Sequence, residues 1–277
     1  MVETIQPLQR NFWWKVGLLA ALLLWVYAPA FWWMADRWWA ADSYYSHGLL
    51  IPFISAGLLW QKRHELAGCA FASSRWGFFL IVLGLLLQIF SAVWRIYFAS
   101  AFSLLIVLAG LVLAVGGIPL WEKVWFPWAF LLFMIPMPLA LIAQASLQLK
   151  LWAASASARV VQWFGIPVMQ DGSVLYLPHG TVLVEDLCSG LRSMIALVAL
   201  GVLFTYLTKT TRAKRFLLLA ATVPIAVGAN ILRISIVSLV SEVYGYQWAT
   251  GIFHDALGFV AFFFAFGLLW LLSRWLR

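Results

Sequence analysis

Long apolar runs, separated by short basic or turn-rich segments, set the pattern of this chain. Eight of them read as helices, at about 16–34, 45–60, 76–94, 97–116, 122–142, 187–207, 216–238 and 252–273. Most approach the roughly 20 apolar residues that a helix needs to cross a bilayer. The second is short, and its Tyr44, Tyr45 and Trp60 suit the headgroup level that anchors such a span. The first follows Arg10 and Lys15 and lacks a small-residue cleavage pattern, so it is expected to be a retained helix.

The stretch 143–164 has polar residues at helical spacing and predicts an amphipathic helix lying on the outer surface, with Lys150 and Arg159 among the headgroups. The pattern then changes period. Asp171-Gly172 and Pro178-His179-Gly180 are turn signals between short β-branched and aromatic runs, which predicts a small β-meander leading into the next apolar helix. The interfacial helix and meander together occupy about 143–186. Long linkers and repeats are lacking, so residues 1–277 read as one integral membrane domain.

Composition agrees with this class: 65% of the residues are hydrophobic and 10% charged, against about 25% charged in soluble domains. Charge placement gives an orientation. With the N-terminus inside, the inner segments hold twelve of the 18 Lys and Arg residues: Arg10, Lys15, Lys62, Arg63, Arg75, Lys123, Lys209, Arg212, Lys214, Arg215, Arg274 and Arg277. The outer segments hold Arg37, Arg95, Lys150 and Arg159, and Arg192 and Arg233 fall within spans. That bias predicts both termini inside. The net charge of +8 is therefore a topology signal. The basic residues are scattered over inner loops, which excludes a nucleic-acid surface.

Three polar residues fall at the same end of three apolar spans: Cys188, Arg233 and His254. Two readings stand for Cys188. A free cysteine is commonly a small buried hydrophobe. One at a helix start, with Arg192 a turn further on, has its thiol acidified by the helix dipole and becomes reactive. Arg233 is five residues inside its span, either snorkelling or lining a site. Asn230 shares its helix face, as a partner of the guanidinium or as interhelical glue. His254 is structural or a proton carrier. Gly251 and Gly258 flank it at helical spacing and permit a neighbour to approach closely. Glu185 and Asp255 are orienting carboxylates or caps, and Asp186 is better read as a cap. Thiol, imidazole and guanidinium together suit acyl transfer. With two unrelated cysteines, no HExxH and no His cluster, neither a metal nor another cofactor is expected.

The segments VEDLCSGLRS, NILRI and FHDALG resemble the three signature segments of the exosortase family. The resemblance extends, in order, to DSYYSHGLLIPFIS, FMIPMPLALI and DGSVLYLPHGTVL, and so covers most of the chain. It implies an all-α polytopic membrane fold with Cys188, Arg233 and His254 as catalytic residues; Arg192, Asn230, Glu185 and Ser189 would support them. The implied activity is cleavage of a C-terminal sorting signal: a Pro-Glu-Pro motif, an apolar helix and a basic tail on an exported protein. The acyl group then passes to an acceptor nucleophile of unspecified identity. The setting would be the inner membrane of a Gram-negative bacterium that makes exopolysaccharide, with the site facing the periplasm and the bilayer lipid as the enzyme's surroundings. Rival readings are a membrane cysteine protease with water as acceptor and a polysaccharide-export component.

Overall fold

The computed structural model describes residues 6–40, 43–69, 72–184, 190–208, 210–245, 247 and 251–276. The chain divides into two compact units, Met1–Ala40 with Ser46–Pro136, and Ala41–Tyr45 with Met137–Arg277.

The first unit is helical. Its elements are α1 (Gln6–Val26), α2 (Ala28–Trp39), α3 (Leu50–Gln61), the short α4 (Arg63–Ala67), α5 (Arg75–Trp94) and α6 (Tyr97–Phe130), which ends in a 3-10 turn, Leu131–Met134. The expected first span is broken. Trp14–Val26 and Ala28–Trp39 meet at a 66° bend. Pro29 explains it: proline is tolerated in the first turn of a helix, but it cannot continue the preceding one. The expected fourth and fifth spans run on as α6, with a break at Gly117, whose φ of 64° only glycine adopts easily. The helix stops near residue 130, earlier than the expected 142, where Pro136 and Pro138 follow.

Small residues seal α5 onto α6. A Cβ at Gly77 would collide with the Ala114 backbone, and one at Gly84 would collide with Val107. Such close backbone approach is the usual way for apolar helices to associate in lipid. Buried polar groups are satisfied across the same contact. Tyr27 Oη donates to Ser103 Oγ at 2.7 Å, and Ser103 Oγ in turn donates to the Gly84 carbonyl at 2.8 Å.

The second unit contains α7 (Leu139–Trp163), the strands β1 (Met169–Asp171), β2 (Val174–Leu177) and β3 (Gly180–Leu183), then α8 (Leu191–Leu207), α9 (Arg212–Tyr244) and α10 (Ile252–Trp275). The meander expected from the turn signals is present as an antiparallel sheet of order β1-β2-β3. Gly172 supplies the positive φ, 58°, at the first tight turn. α7 is the helix expected over 143–164, begun four residues earlier. It buries Ile142, Ser146, Ala153, Ala154, Ser157, Ala158 and Val161 on one face.

α9 is the axis of this unit. One cluster packs α7 and the meander on it: Ala154, Val161, Leu175, Val182, Val184, Ile234 and Val237. A second joins it to α8 and α10 through Leu197, Leu218, Ala226, Ala229, Ala265 and Leu269. The buried stripe of α9 therefore carries Asn230 and Arg233 between these two clusters.

Four described helical stretches are long and apolar enough to cross a membrane: Arg75–Trp94, Tyr97–Met134, Arg212–Tyr244 and Ala256–Trp275. The bent pair of α1 and α2 would make five. α3, with 12 residues, spans about 18 Å. α8, with 17 residues, spans about 25 Å. Both are short of a hydrocarbon core of about 30 Å. The protein is thus a mostly helical, multi-pass membrane protein, with fewer full-length spans among the described residues than the eight expected from apolar runs alone.

Candidate active site

Arg233 is nine-tenths buried on α9, and Asn230, one turn earlier on the same stripe, is buried with it. Arg233 Nη2 lies 2.9 Å from His254 Nε2, on the first turn of α10. A guanidinium can only donate, so Nε2 is the acceptor and the imidazole carries its proton on Nδ1 in this arrangement. Arg233 Nε is buried and makes no hydrogen bond among the described residues. No carboxylate among them forms an ion pair with it either.

The guanidinium lies flat against α10 because Gly258 has no side chain. A Cβ there would come within 3.2 Å of Arg233 Cζ and Nη2. The sequence signalled a glycine that lets a neighbour approach, and the neighbour is the arginine itself. A small, narrow cleft opens beside these groups. Ser193, Asn230 and Arg233 form its polar part; Leu197, Ala226 and Phe262 form its apolar part. Ser193 was missed in the sequence, although it lies only five residues after Cys188.

The segment holding Cys188, Glu185, Asp186 and Ser189 lies outside the described residues, as does the side chain of Asp255. Its two neighbours are well placed. Val184 is 1% exposed, in the cluster with Ile234 and Val237. Gly190 sits on Asn230: its φ is 76°, and a Cβ there would come 2.6 Å from Asn230 Cγ. Val184 and Gly190 therefore both rest on α9, on either side of the level of Arg233. The helix expected to start at 187 starts at Leu191, since the left-handed Gly190 cannot belong to it. Arg192 is half-buried in its first turn.

The meander is fastened to the far end of α9. His179 Nδ1 is 2.6 Å from Glu242 Oε1, and the His179 backbone N–H donates to Oε2 at 3.1 Å. Gly180 lies against Ser241, where a Cβ would come 2.9 Å from Oγ. Neither contact was legible in the sequence, where His179 read as a turn residue. His47, of the Tyr45-Ser46-His47-Gly48 element, is partly buried in the turn before α3.

Among the described residues, no group of three or more His, Cys, Asp or Glu side chains comes together to hold a metal. Arg233 and His254 offer a buried cation hydrogen-bonded to an imidazole, which suits stabilisation of an anion and transfer of a proton. Comparison with known proteins places this in a family. No curated protein and no solved structure matches the chain. The family model described as "Transmembrane exosortase (Exosortase_EpsH)" matches residues 38–271, which include α7, the meander, Arg233 and His254. The chain therefore belongs to the transmembrane exosortase family, whose role is that of a membrane transpeptidase or protease acting on exported proteins.

Proposed function

We propose that the chain is a cysteine transpeptidase of the inner membrane that cleaves PEP-type C-terminal sorting signals on the periplasmic face. The observation that carries this reading is the buried Arg233–His254 hydrogen bond, with both neighbours of the Cys188 segment packed on the helix that bears Arg233. A guanidinium in an apolar helix bundle needs an anion. A thiolate, and then a tetrahedral oxyanion, would supply one.

Cys188 gives its thiol proton to His254 Nε2, which releases the Arg233 hydrogen bond, and Cys188 Sγ, now a thiolate, attacks the scissile carbonyl carbon. The C–S bond forms, and the carbonyl electron pair moves to oxygen, where Arg233 stabilises it. Collapse breaks the C–N bond, and His254 delivers the proton that the leaving amine needs. The acyl thioester is then attacked by the acceptor, whose proton passes to His254 as the C–S bond breaks. Asn230, Arg192, Glu185 and Ser189 support these groups. No metal or other cofactor enters. Residues 1–277 act as one membrane domain, with both termini in the cytoplasm and eight crossings, the shorter helices included.

The test is mass spectrometry of the new C-terminus of a co-expressed substrate. Processing should disappear in Cys188→Ala and nearly so in Cys188→Ser, with the enzyme still inserted. Normal processing in Cys188→Ala would end the acyl-enzyme reading. An added mass at the new C-terminus supports transfer; a free carboxylate would make the protein a simple protease.

A further inference from the structure

The meander has a defined hydrogen-bonding phase, and it leaves one strand edge open. Val184 N–H donates to the Ser173 carbonyl at 3.0 Å. This pair continues the register Val174↔Leu183, Leu175↔Val182, Tyr176↔Thr181 and Leu177↔Gly180. In an antiparallel ladder, directly bonded pairs alternate with unbonded ones. Val182 and Gly180 therefore bond to β2, while the N–H and C=O groups of Thr181 and Leu183 point away from it. Among the described residues, neither outward N–H has a partner. Both residues are exposed, Leu183 to 51%. The opposite edge is poorer. Along β1, only the Gln170 backbone points outward, so that edge offers one residue where β3 offers two.

The open edge also aims at the candidate active site. β3 starts at Gly180 against Ser241, Val184 packs with Ile234 and Val237, and Gly190 meets Asn230. β3 thus runs from the C-terminal end of α9 toward the level of Arg233, which lies about 12 Å along the helix from Ser241. Four residues separate Leu183 from Cys188 in the sequence.

We propose that the outer edge of β3 is the substrate-binding strand, and that the extended segment preceding the substrate's apolar helix adds to it. This rests on the sorting-signal reading above. The substrate chain enters the bilayer towards its C-terminus, and β3 runs the same way, so the added strand is parallel. In a parallel pair, one substrate residue is bracketed: its N–H donates to the Thr181 carbonyl, and its carbonyl accepts from Leu183 N–H. Recognition by backbone fixes register and leaves side-chain choice to other contacts.

The experiment uses the full-length enzyme and a semisynthetic substrate with its apolar helix and basic tail. Ester bonds replace single backbone amides upstream of the scissile bond. Cleavage should weaken at alternate positions, by about tenfold for each lost hydrogen bond. Leu183→Pro, which removes an outward donor and no ladder bond, should raise KM by a similar factor. Alkylation of Cys188 by iodoacetamide should be unchanged in that variant, which shows an intact site. Gln170→Pro, on the other edge, should leave KM as it is. An ester series without period-two sensitivity, or an unchanged KM in Leu183→Pro, would overturn the edge assignment. Persistent cleavage in Cys188→Ala would instead overturn the cysteine mechanism, whichever edge binds the peptide.

Discussion

Arg233 Nη2 donates to His254 Nε2 across 2.9 Å, so the cation of the site sits on the arginine and the imidazole beside it is neutral. This orders the roles. A group that cannot give up its proton near neutral pH supplies the charge, and the group that can exchange protons is held by it in one tautomer. Arg233→Lys keeps the charge but loses the flat fork that reaches His254 while leaving Nε for a second acceptor. We expect that variant to lose about 10²-fold or more in the rate of processing, the usual cost of a missing oxyanion donor. Arg192→Lys, on the half-buried first turn of α8, should cost much less. Full activity in Arg233→Lys, measured by release of the cleaved substrate, would reduce Arg233 to a packing charge.

Gly258 gives a finer test of the same geometry. A methyl group at this position would come within 3.2 Å of the guanidinium carbon, so Gly258→Ala should push Arg233 off its line to His254. A misplaced charge of this kind lowers kcat on the order of 10²-fold while leaving substrate binding nearly intact. Gly267, on the same helix, has nothing within 4 Å of the equivalent position. Gly267→Ala should be silent, or slightly stabilising through helix propensity. Equal activities for the two variants would show that the close approach at Gly258 has no role in the chemistry.

What the sequence revealed follows from what each signal measures. Apolar runs report helices well, and the turn pairs Asp171-Gly172 and Pro178-His179-Gly180 reported the meander. Length alone did not report breaks. Pro29 bends the first span, and Gly117 interrupts α6, because backbone conformation overrides continuous hydrophobicity. The shared depth of Arg233 and His254 was legible, since unpaired polar groups are costly in lipid. The partners that position them were less so. Gly190 carried no signal of its own in the sequence, yet its missing side chain is what lets the start of α8 rest on Asn230. Ser193 and the His179–Glu242 pair involve contacts between distant segments that no local pattern encodes.

Gly190 therefore makes its own prediction. Its φ of 76° is costly for any side chain, and the added Cβ would overlap Asn230. Gly190→Ala should destabilise the second unit by about 1–3 kcal/mol, in line with the cost of such backbone strain. In Asn230→Ala the overlap is relieved and the strain stays, so the double variant should recover part of the loss. A thermal-melting cycle in detergent measures this coupling. Strict additivity of the two changes would show that Gly190 and Asn230 do not interlock.

Topology decides whether the site meets an exported substrate at all. The basic stretch Arg212, Lys214 and Arg215 opens α9, and the meander is fastened to the other end of that helix by Glu242. A helix of 33 residues covers about 50 Å, enough to separate the two ends by a whole bilayer. A reporter inserted near Ser173 should behave as periplasmic, and one near Thr210 as cytoplasmic. Reversal of that pair would place the sheet and the outward end of α9 on the wrong side for a sorting signal.

Membrane anchoring should set the register of cleavage. A substrate that keeps its own apolar helix in the bilayer diffuses in two dimensions and presents its extended segment at a fixed depth. Its association then resembles an intramolecular event, and much of the orientational entropy is already lost before contact. A free peptide carrying only the Pro-Glu-Pro motif lacks this advantage and should be a very poor substrate. The same motif joined to an apolar helix and a basic tail should be processed. Inserting four residues between motif and helix would lift an extended segment by about 13 Å, past the reach of a nucleophile held near Arg233, and cleavage should fall sharply. The measurement is the initial rate of cleavage for the three forms at equal enzyme. Equal rates for the free and anchored peptides would show that the strand edge and the site select the motif without help from the bilayer.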